Sequence, residues 1–181
     1  AHEGALLVLT TARGTGVRTT AHKGGILDDE GVKVATDSMI TLNKLPIELA
    51  RGLELHACTD VTGFSLMGHG CEMAEASGLT AYINSSDVPV MARAREMARM
   101  GLIPAGAYRN RDFFGPRVSI SDEVPLDLSD VLFDPQTSGG LLLAMPDGDA
   151  GELVSRLRDA GQPAAIVGSM RAREDCSVRV L

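Results

Sequence analysis

The sequence predicts an α+β domain built on a mixed sheet, and three observations carry that prediction. Strand-length apolar runs alternate with helical periodicities, but irregularly. Leu141 to Met145 is apolar at every position, as suits a strand covered on both faces. Ala164–Val167 and Ser177–Val180 close the chain as two strands with no helix between them, which fits a mixed sheet better than a doubly wound parallel one.

Taken in order, Ala5 to Thr10 reads as a buried strand, and Gly14-Thr15-Gly16 opens a helix that Gly24-Gly25 ends near Lys23. A longer helix is expected from Val32 or Thr36 to Arg51, with Ala35, Met39, Leu42, Leu45 and Leu49 on one face. Leu53 to Cys58 reads as a strand. After Gly63, the spacing of Phe64, Met67, Cys71 and Ala74 predicts an amphipathic helix that stops at Ser77-Gly78. Leu79 to Ile83 is a strand and Pro89 to Met100 a helix. From Ala105 to Val131 the signals are irregular, with Arg117 to Ile120 a candidate edge strand. Asp149 to Ala160 is the last helix, stopped by Gly161. With no repeat and no low-complexity tract, the 181 residues read as a single domain, 1–181.

Composition narrows the class. Aromatics are 3% with no Trp, so the core must be aliphatic. A net charge of −7 without a long basic cluster argues against a nucleic-acid or anionic-membrane footprint. It leaves room for a small anion, which a few oriented N–H groups can hold. Three cysteines at unpatterned spacings fit a reducing, cytoplasmic setting. No apolar run is long enough to span a membrane. The chain opens at Ala1 without an initiator Met and enters a strand-like run within five residues, as a piece of a longer protein would.

Three segments could carry chemistry. In His56-Ala57-Cys58-Thr59-Asp60-Val61-Thr62-Gly63-Phe64 a strand runs through a hydroxyl- and carboxylate-bearing turn into a helix. Capping is the commoner use of such residues. The same geometry can place a carboxylate on Mg²⁺ with the helix dipole facing a phosphate, although one carboxylate cannot build that site alone. In Phe133-Asp134-Pro135-Gln136-Thr137-Ser138-Gly139-Gly140-Leu141-Leu142, small residues directly before a core strand form either a tight turn or an N–H nest for an anion. Four such residues in a row suggest that something approaches the backbone closely. Tyr108-Arg109-Asn110-Arg111-Asp112-Phe113 offers two arginines around an amide, either a phosphate clamp or a solvated loop with an internal Arg–Asp pair. The histidines fit structural roles, His69 as a satisfied mid-helix residue. No Ser/His/Asp or Cys/His constellation is visible, and no catalytic residue is assigned to this chain.

Together these segments, with Gly14-Thr15-Gly16-Val17 and the Met39 to Asn43 stretch, resemble the C-terminal domain of the selenophosphate synthetase (selenide, water dikinase) family. The likeness extends over nearly the whole chain. Ser65 departs from the pattern, since the family commonly has Gly there; the first turn of a helix tolerates Ser. The resemblance implies a three-layer α/β/α unit of partial ferredoxin-like topology, like the C-terminal domain of aminoimidazole ribonucleotide synthetase. It implies an ATP-dependent parent enzyme that makes selenophosphate from selenide, ATP and water, releases AMP and phosphate, and requires Mg²⁺. The family's N-terminal domain forms the homodimer, holds most of the ATP site and carries the catalytic Cys or selenocysteine and Lys; it has no counterpart here. By resemblance Asp60 is a Mg²⁺ ligand, while Asn110, Thr137, Ser138, Gly139 and Gly140 contact substrate. The fragment alone is therefore expected to be inactive. Alternatives are another ATP-using member of the superfamily or a non-catalytic binding module of the same fold. Hydrogenase-maturation members end in a functional Cys, whereas here Cys176 is followed by five residues. Strand direction adds one geometric expectation. If Leu53–Cys58 and Leu141–Met145 run antiparallel, Asp60 and Thr137–Gly140 open onto the same rim.

Overall fold

A computed structural model describes residues 1–181. Seven strands form one sheet: β1 (Leu6–Leu9), β2 (Ala57–Asp60), β3 (Leu79–Ile83), β4 (Val118–Ile120), β5 (Leu141–Met145), β6 (Ala165–Ala172) and β7 (Val178–Val180). Their order across the sheet is β2-β5-β1-β6-β3-β7-β4. Pairing is antiparallel from β2 through to β3 and parallel for β3–β7 and β7–β4, so the sheet is mixed as expected.

Successive residues of the central strands bury on opposite faces, which is what makes the fold three layers deep. Leu7, Leu9, Leu142 and Ala144 join a core with Leu66, Met67, Cys71 and Ala74 of helix α4 (Ser65–Ser77). Val8, Leu141, Leu143 and Met145 join a second core with Ala150, Leu153 and Leu157 of helix α8 (Asp147–Asp159). Burial on both sides explains why β5 is apolar throughout.

Other helices differ from the sequence reading for identifiable reasons. The long helix expected up to Arg51 is two: α2 (Asp29–Ile40) and α3 (Lys44–Leu49). Thr41 is extended between them, and Pro46, lacking an N–H, cannot continue a ladder back to Leu42. Of the expected apolar face only Ala35 is buried, while Leu42 is exposed. The helix expected from Pro89 shortens to α5 (Ala94–Arg99), because Pro89 and Met91 bond to the backbone of Arg13 on both sides (2.8 and 2.9 Å). β2 starts four residues later than expected and includes Asp60; its partner β5 offers only five residues to pair with. The irregular stretch holds two helices, α6 (Ala105–Phe114) and α7 (Leu126–Leu132), each entered from a proline that needs no N–H partner.

Helix α1 (Thr15–Lys23) is fastened by residues about 120 positions away. Gly16 donates its N–H to Asp134 Oδ2 at 2.9 Å. Gln136 Oε1 accepts from Gly14 N (3.3 Å), Thr15 N (3.4 Å) and Thr15 Oγ1 (3.0 Å). The free N–H groups of the helix start are thus satisfied from the Asp134–Gln136 loop rather than by a local cap. Any Cβ at Gly16 would collide with Asp134 and, at 2.7 Å, with the Pro135 carbonyl.

Asp134 is fully buried, and desolvation raises its carboxyl to about 7 against the bonds from Gln136, Val17 and Gly16. The folded state therefore holds this proton more tightly than the unfolded chain. The Asp134 contribution to stability is greatest below pH ~4 and is lost as pH rises towards 7. In urea unfolding, the stability of Asp134→Asn relative to wild type should increase from pH 4 to pH 7, by up to about 4 kcal/mol. A difference that stays flat would contradict this ionisation account. Ser65 sits at φ 68°, fully buried, with its hydroxyl unpartnered, so the tolerance expected of Ser in a first turn does not hold. Left-handed backbone costs a side chain roughly 1–2 kcal/mol. Ser65→Gly should raise stability by about 1 kcal/mol, after the larger unfolded-state entropy of Gly is deducted, and a lowered Tm would contradict it.

Candidate functional site

β2 runs antiparallel to β5, with Asp60 opposite Leu141, so the end of β2 and the start of β5 lie on one rim. Asp60 and the Thr137–Gly140 loop share it, as strand direction implied. Three backbone bonds lace the two segments together. Val61 N donates to Gly140 O (2.9 Å), Gly139 N to Val61 O (2.9 Å) and Gln136 N to Thr62 O (3.0 Å). The end of β1 arrives at the same rim, where Thr10 Oγ1 accepts from Leu141 N at 2.9 Å.

Val61 is fully buried while Asp60 is exposed, so the backbone is anchored and the carboxylate points to solvent. Thr59 and Thr62 flank it. Thr62 Oγ1 lies 3.2 Å from His69 Nε2, and the opposite ring nitrogen of His69 lies 2.9 Å from Glu72. His69 is buried in this structural role. The Cys58 thiol is pushed up by partial burial and by the Asp60 charge.

The glycine-rich loop is built for the close approach of its own chain. A Cβ on Gly139 would collide with Val61 O and meet Arg13 Nη1 at 2.9 Å. On Gly140 it would meet the hydroxyls of Thr11 (2.5 Å) and Thr10 (2.7 Å). The Gly139 N–H is consumed by Val61, so the loop does not present the four-residue anion nest that its composition allowed. Thr137 and Ser138 remain exposed on the rim, Ser138 in the left-handed region at φ 52°.

Asn110 lies beneath the site rather than in it. Buried on α6, it donates its side-chain amide to Gly63 O (2.9 Å) and Phe133 O (3.2 Å), tying the two motifs together. Both amide donors are engaged by these carbonyls, so any contact of Asn110 with substrate would fall to Oδ1. The segment around it is helix, not loop. Arg111 pairs with Asp130 at 2.7 Å rather than with Asp112, and stacks over Phe133 at 4.8 Å. Arg109 is exposed, without an acidic partner, beside Gly106 and Pro135.

Sequence reasoning missed Arg13, which is fully buried. It donates from Nη2 to Thr11 O (3.0 Å), to Thr11 Oγ1 and to Gly139 O. Burial pushes its guanidinium down to about 9, opposed by the Asp134 charge, so it stays protonated at neutral pH. No periodicity in one sequence marks an arginine as buried. The Gly14-Thr15-Gly16 run after it was the only local sign of crowding.

The rim offers one hard oxygen donor of the kind Mg²⁺ prefers, the Asp60 carboxylate; Thr59 lies on the opposite face of β2 and donates to the Asp60 carbonyl, and the Thr62 hydroxyl meets His69. The rim thus supplies one carboxylate, which is half a site at most. The only clustered potential ligands in the fold, Glu174, Asp175 and Cys176, lie elsewhere, and Arg179 already pairs with both carboxylates there (2.7 and 3.3 Å).

Known proteins bear on this geometry. The chain is 42% identical to the selenide, water dikinase of Clostridium botulinum (strain Eklund 17B / Type B) over 175 residues, 97% of this chain and 51% of that protein. It is 43% identical to that of Pelobacter propionicus over 168 residues, 92% of this chain and 48% of that one. The chain spans about half the length of these relatives. Among solved structures, E. coli HypE superposes with TM-score 0.70 at 20% identity, covering 99% of this chain and 47% of its own. Thiamine-monophosphate kinase from Stenotrophomonas maltophilia K279a gives 0.65 at 13%, covering 99% and 51%; at such identities the likeness is one of fold. The family described as AIR synthase related protein, C-terminal domain, matches residues 2–181. With that match over almost every residue, the chain belongs to the AIR synthase-related family, as a C-terminal domain of the kind found in selenide, water dikinases.

Proposed function

We propose that this domain is the C-terminal half of a selenide, water dikinase, an enzyme that makes selenophosphate from selenide, ATP and water and releases AMP and phosphate. The observation that carries the reading is the identity of about 42% along 97% of the chain to a protein of that name. The rim geometry supports it from the physical side. Phosphoryl transfer needs charge neutralisation and positioning more than a covalent protein group. A single exposed carboxylate on an anchored backbone is what one wall of a two-walled site would contribute. In this reading Asp60 is one Mg²⁺ ligand and the N-terminal domain supplies the others. Bound Mg²⁺ would neutralise phosphate charge. Thr137 and Ser138 contact the phosphates through hydroxyls and N–H groups, and Arg109, an exposed cation near Gly106, adds a positive charge. Gly139 and Gly140 act through backbone placement, and Asn110 holds the two loops in register. The parent is a cytoplasmic homodimer joined through its N-terminal domain.

Two measurements test the reading. The 181-residue chain, given Mg²⁺, ATP and selenide, should release no AMP above the uncatalysed background; robust selenide-dependent turnover would overturn the half-site account. In the two-domain enzyme, Asp60→Asn should lower turnover at least about 100-fold, in the range seen when a charge-stabilising group is removed. It should leave stability within about 0.5 kcal/mol, as for an exposed position. Full activity in that variant would remove Asp60 from the site, and unfolding would make it structural.

A further inference from the structure

We propose that Arg13 is the positioning residue for Asp60, acting through Gly139 and Val61; this rests on the reading of Asp60 as a metal ligand. The Asp60 carboxylate makes no hydrogen bond within the domain, so its direction is set by the backbone that carries it. That backbone is fixed at the next residue. Both polar groups of Val61 are taken, its N–H by Gly140 O and its carbonyl by Gly139 N, each at 2.9 Å. Gly139 is held in turn through its own carbonyl, which accepts from Arg13 Nη2 and from Thr11 Oγ1 (2.6 Å). Arg13 cannot drift, since its N–H donates to Pro89 O (2.8 Å) and its carbonyl accepts from Met91 N (2.9 Å). A continuous path of short polar contacts therefore runs from the guanidinium of a buried residue, anchored twice through its main chain, to the residue beside the exposed carboxylate.

Stability alone is a poor reason for this arrangement. Arg13 Nε and Nη1 are buried without a protein partner, and leaving such groups unpaired costs free energy. An apolar side chain of similar volume would fill the same space at lower cost. What the guanidinium supplies is one terminal nitrogen, Nη2, that reaches both Thr11 and the Gly139 carbonyl, which no apolar side chain could do. Catalytic groups need placement to within about 0.5 Å, and a misplacement of about 1 Å can cost on the order of 100-fold in rate.

The test uses Arg13→Met, which keeps volume but has no donor, and Arg13→Lys, which keeps the charge and a donor nitrogen on a shorter side chain. Amide hydrogen exchange in the 181-residue chain gives a readout independent of activity. In Arg13→Met the Val61 and Gly139 amides should exchange about tenfold faster or more, while Leu143 and Val167 in the sheet centre stay unchanged. In the two-domain enzyme the same variant should raise the half-saturating Mg²⁺ concentration about tenfold and lower kcat, the size of effect expected from a group behind a metal ligand. Arg13→Lys should fall between. Should Arg13→Met fail to fold, Thr11→Val removes the companion bond to Gly139 and should shift exchange and Mg²⁺ dependence in the same direction. The inference is overturned if Val61 and Gly139 keep wild-type protection, or if all amides accelerate together with no change in Mg²⁺ dependence, the mark of a merely structural residue. If instead Asp60→Asn leaves Mg²⁺ dependence untouched, the metal reading is what fails, and the exchange data still decide whether Arg13 holds Val61.

Discussion

The loop from Asp134 to Gly140 must satisfy three neighbours at once, and the rest of the architecture depends on that constraint. It caps α1 through Asp134 and Gln136, accepts Arg13 on the Gly139 carbonyl, and laces onto Val61 and Thr62 before entering β5. Asp134, Gln136, Arg13, Gly139 and Val61 are buried, so an unmade bond at any of them would cost roughly 1–3 kcal/mol. An apolar loop could not meet the demand, and one with side chains at positions 139 and 140 would not fit. The polar joint therefore fixes the relative placement of three chain segments that are far apart in sequence.

Fixing them has a functional consequence. The sheet sends the ends of β1 and β2 and the start of β5 to a single rim, because β5 is antiparallel to both. Whatever is exposed there is carried by a rigid, interior-anchored backbone rather than by a mobile loop, which suits precise chemistry. Only one carboxylate is exposed at the end of β2. The chain spans about half the length of its selenide, water dikinase relatives, and an incomplete rim fits a partner wall contributed by the remaining half.

Much of this was legible in the sequence because it rests on local periodicity and strand direction. The uninterrupted apolar run at Leu141–Met145 marked a strand buried on both faces, and the helix after Gly63 was visible from its spacing. The shared rim followed from one antiparallel pairing. What could not be read depended on contacts between distant segments. Nothing near Asn110 reveals that its amide turns inward to Gly63 and Phe133. Arg13 looks like a surface residue until Gly139 is packed against it. The break at Thr41 shows how a proline five residues downstream can outweigh a plausible apolar stripe. Ser65 shows that a tolerated residue type says little when the backbone is left-handed.

The central claim is that Asp60 contributes a metal ligand to a site completed across two domains. Equilibrium binding of Mn²⁺, as a paramagnetic stand-in for Mg²⁺, tests it most directly. The two-domain enzyme would be titrated with a non-hydrolysable ATP analogue present, and free Mn²⁺ followed by electron paramagnetic resonance. The account predicts that Asp60→Asn weakens Mn²⁺ binding by at least about tenfold relative to wild type. It also predicts that the isolated 181-residue chain binds Mn²⁺ no better than a chain without Asp60. Superimposable isotherms for the wild-type and Asp60→Asn enzymes would contradict it.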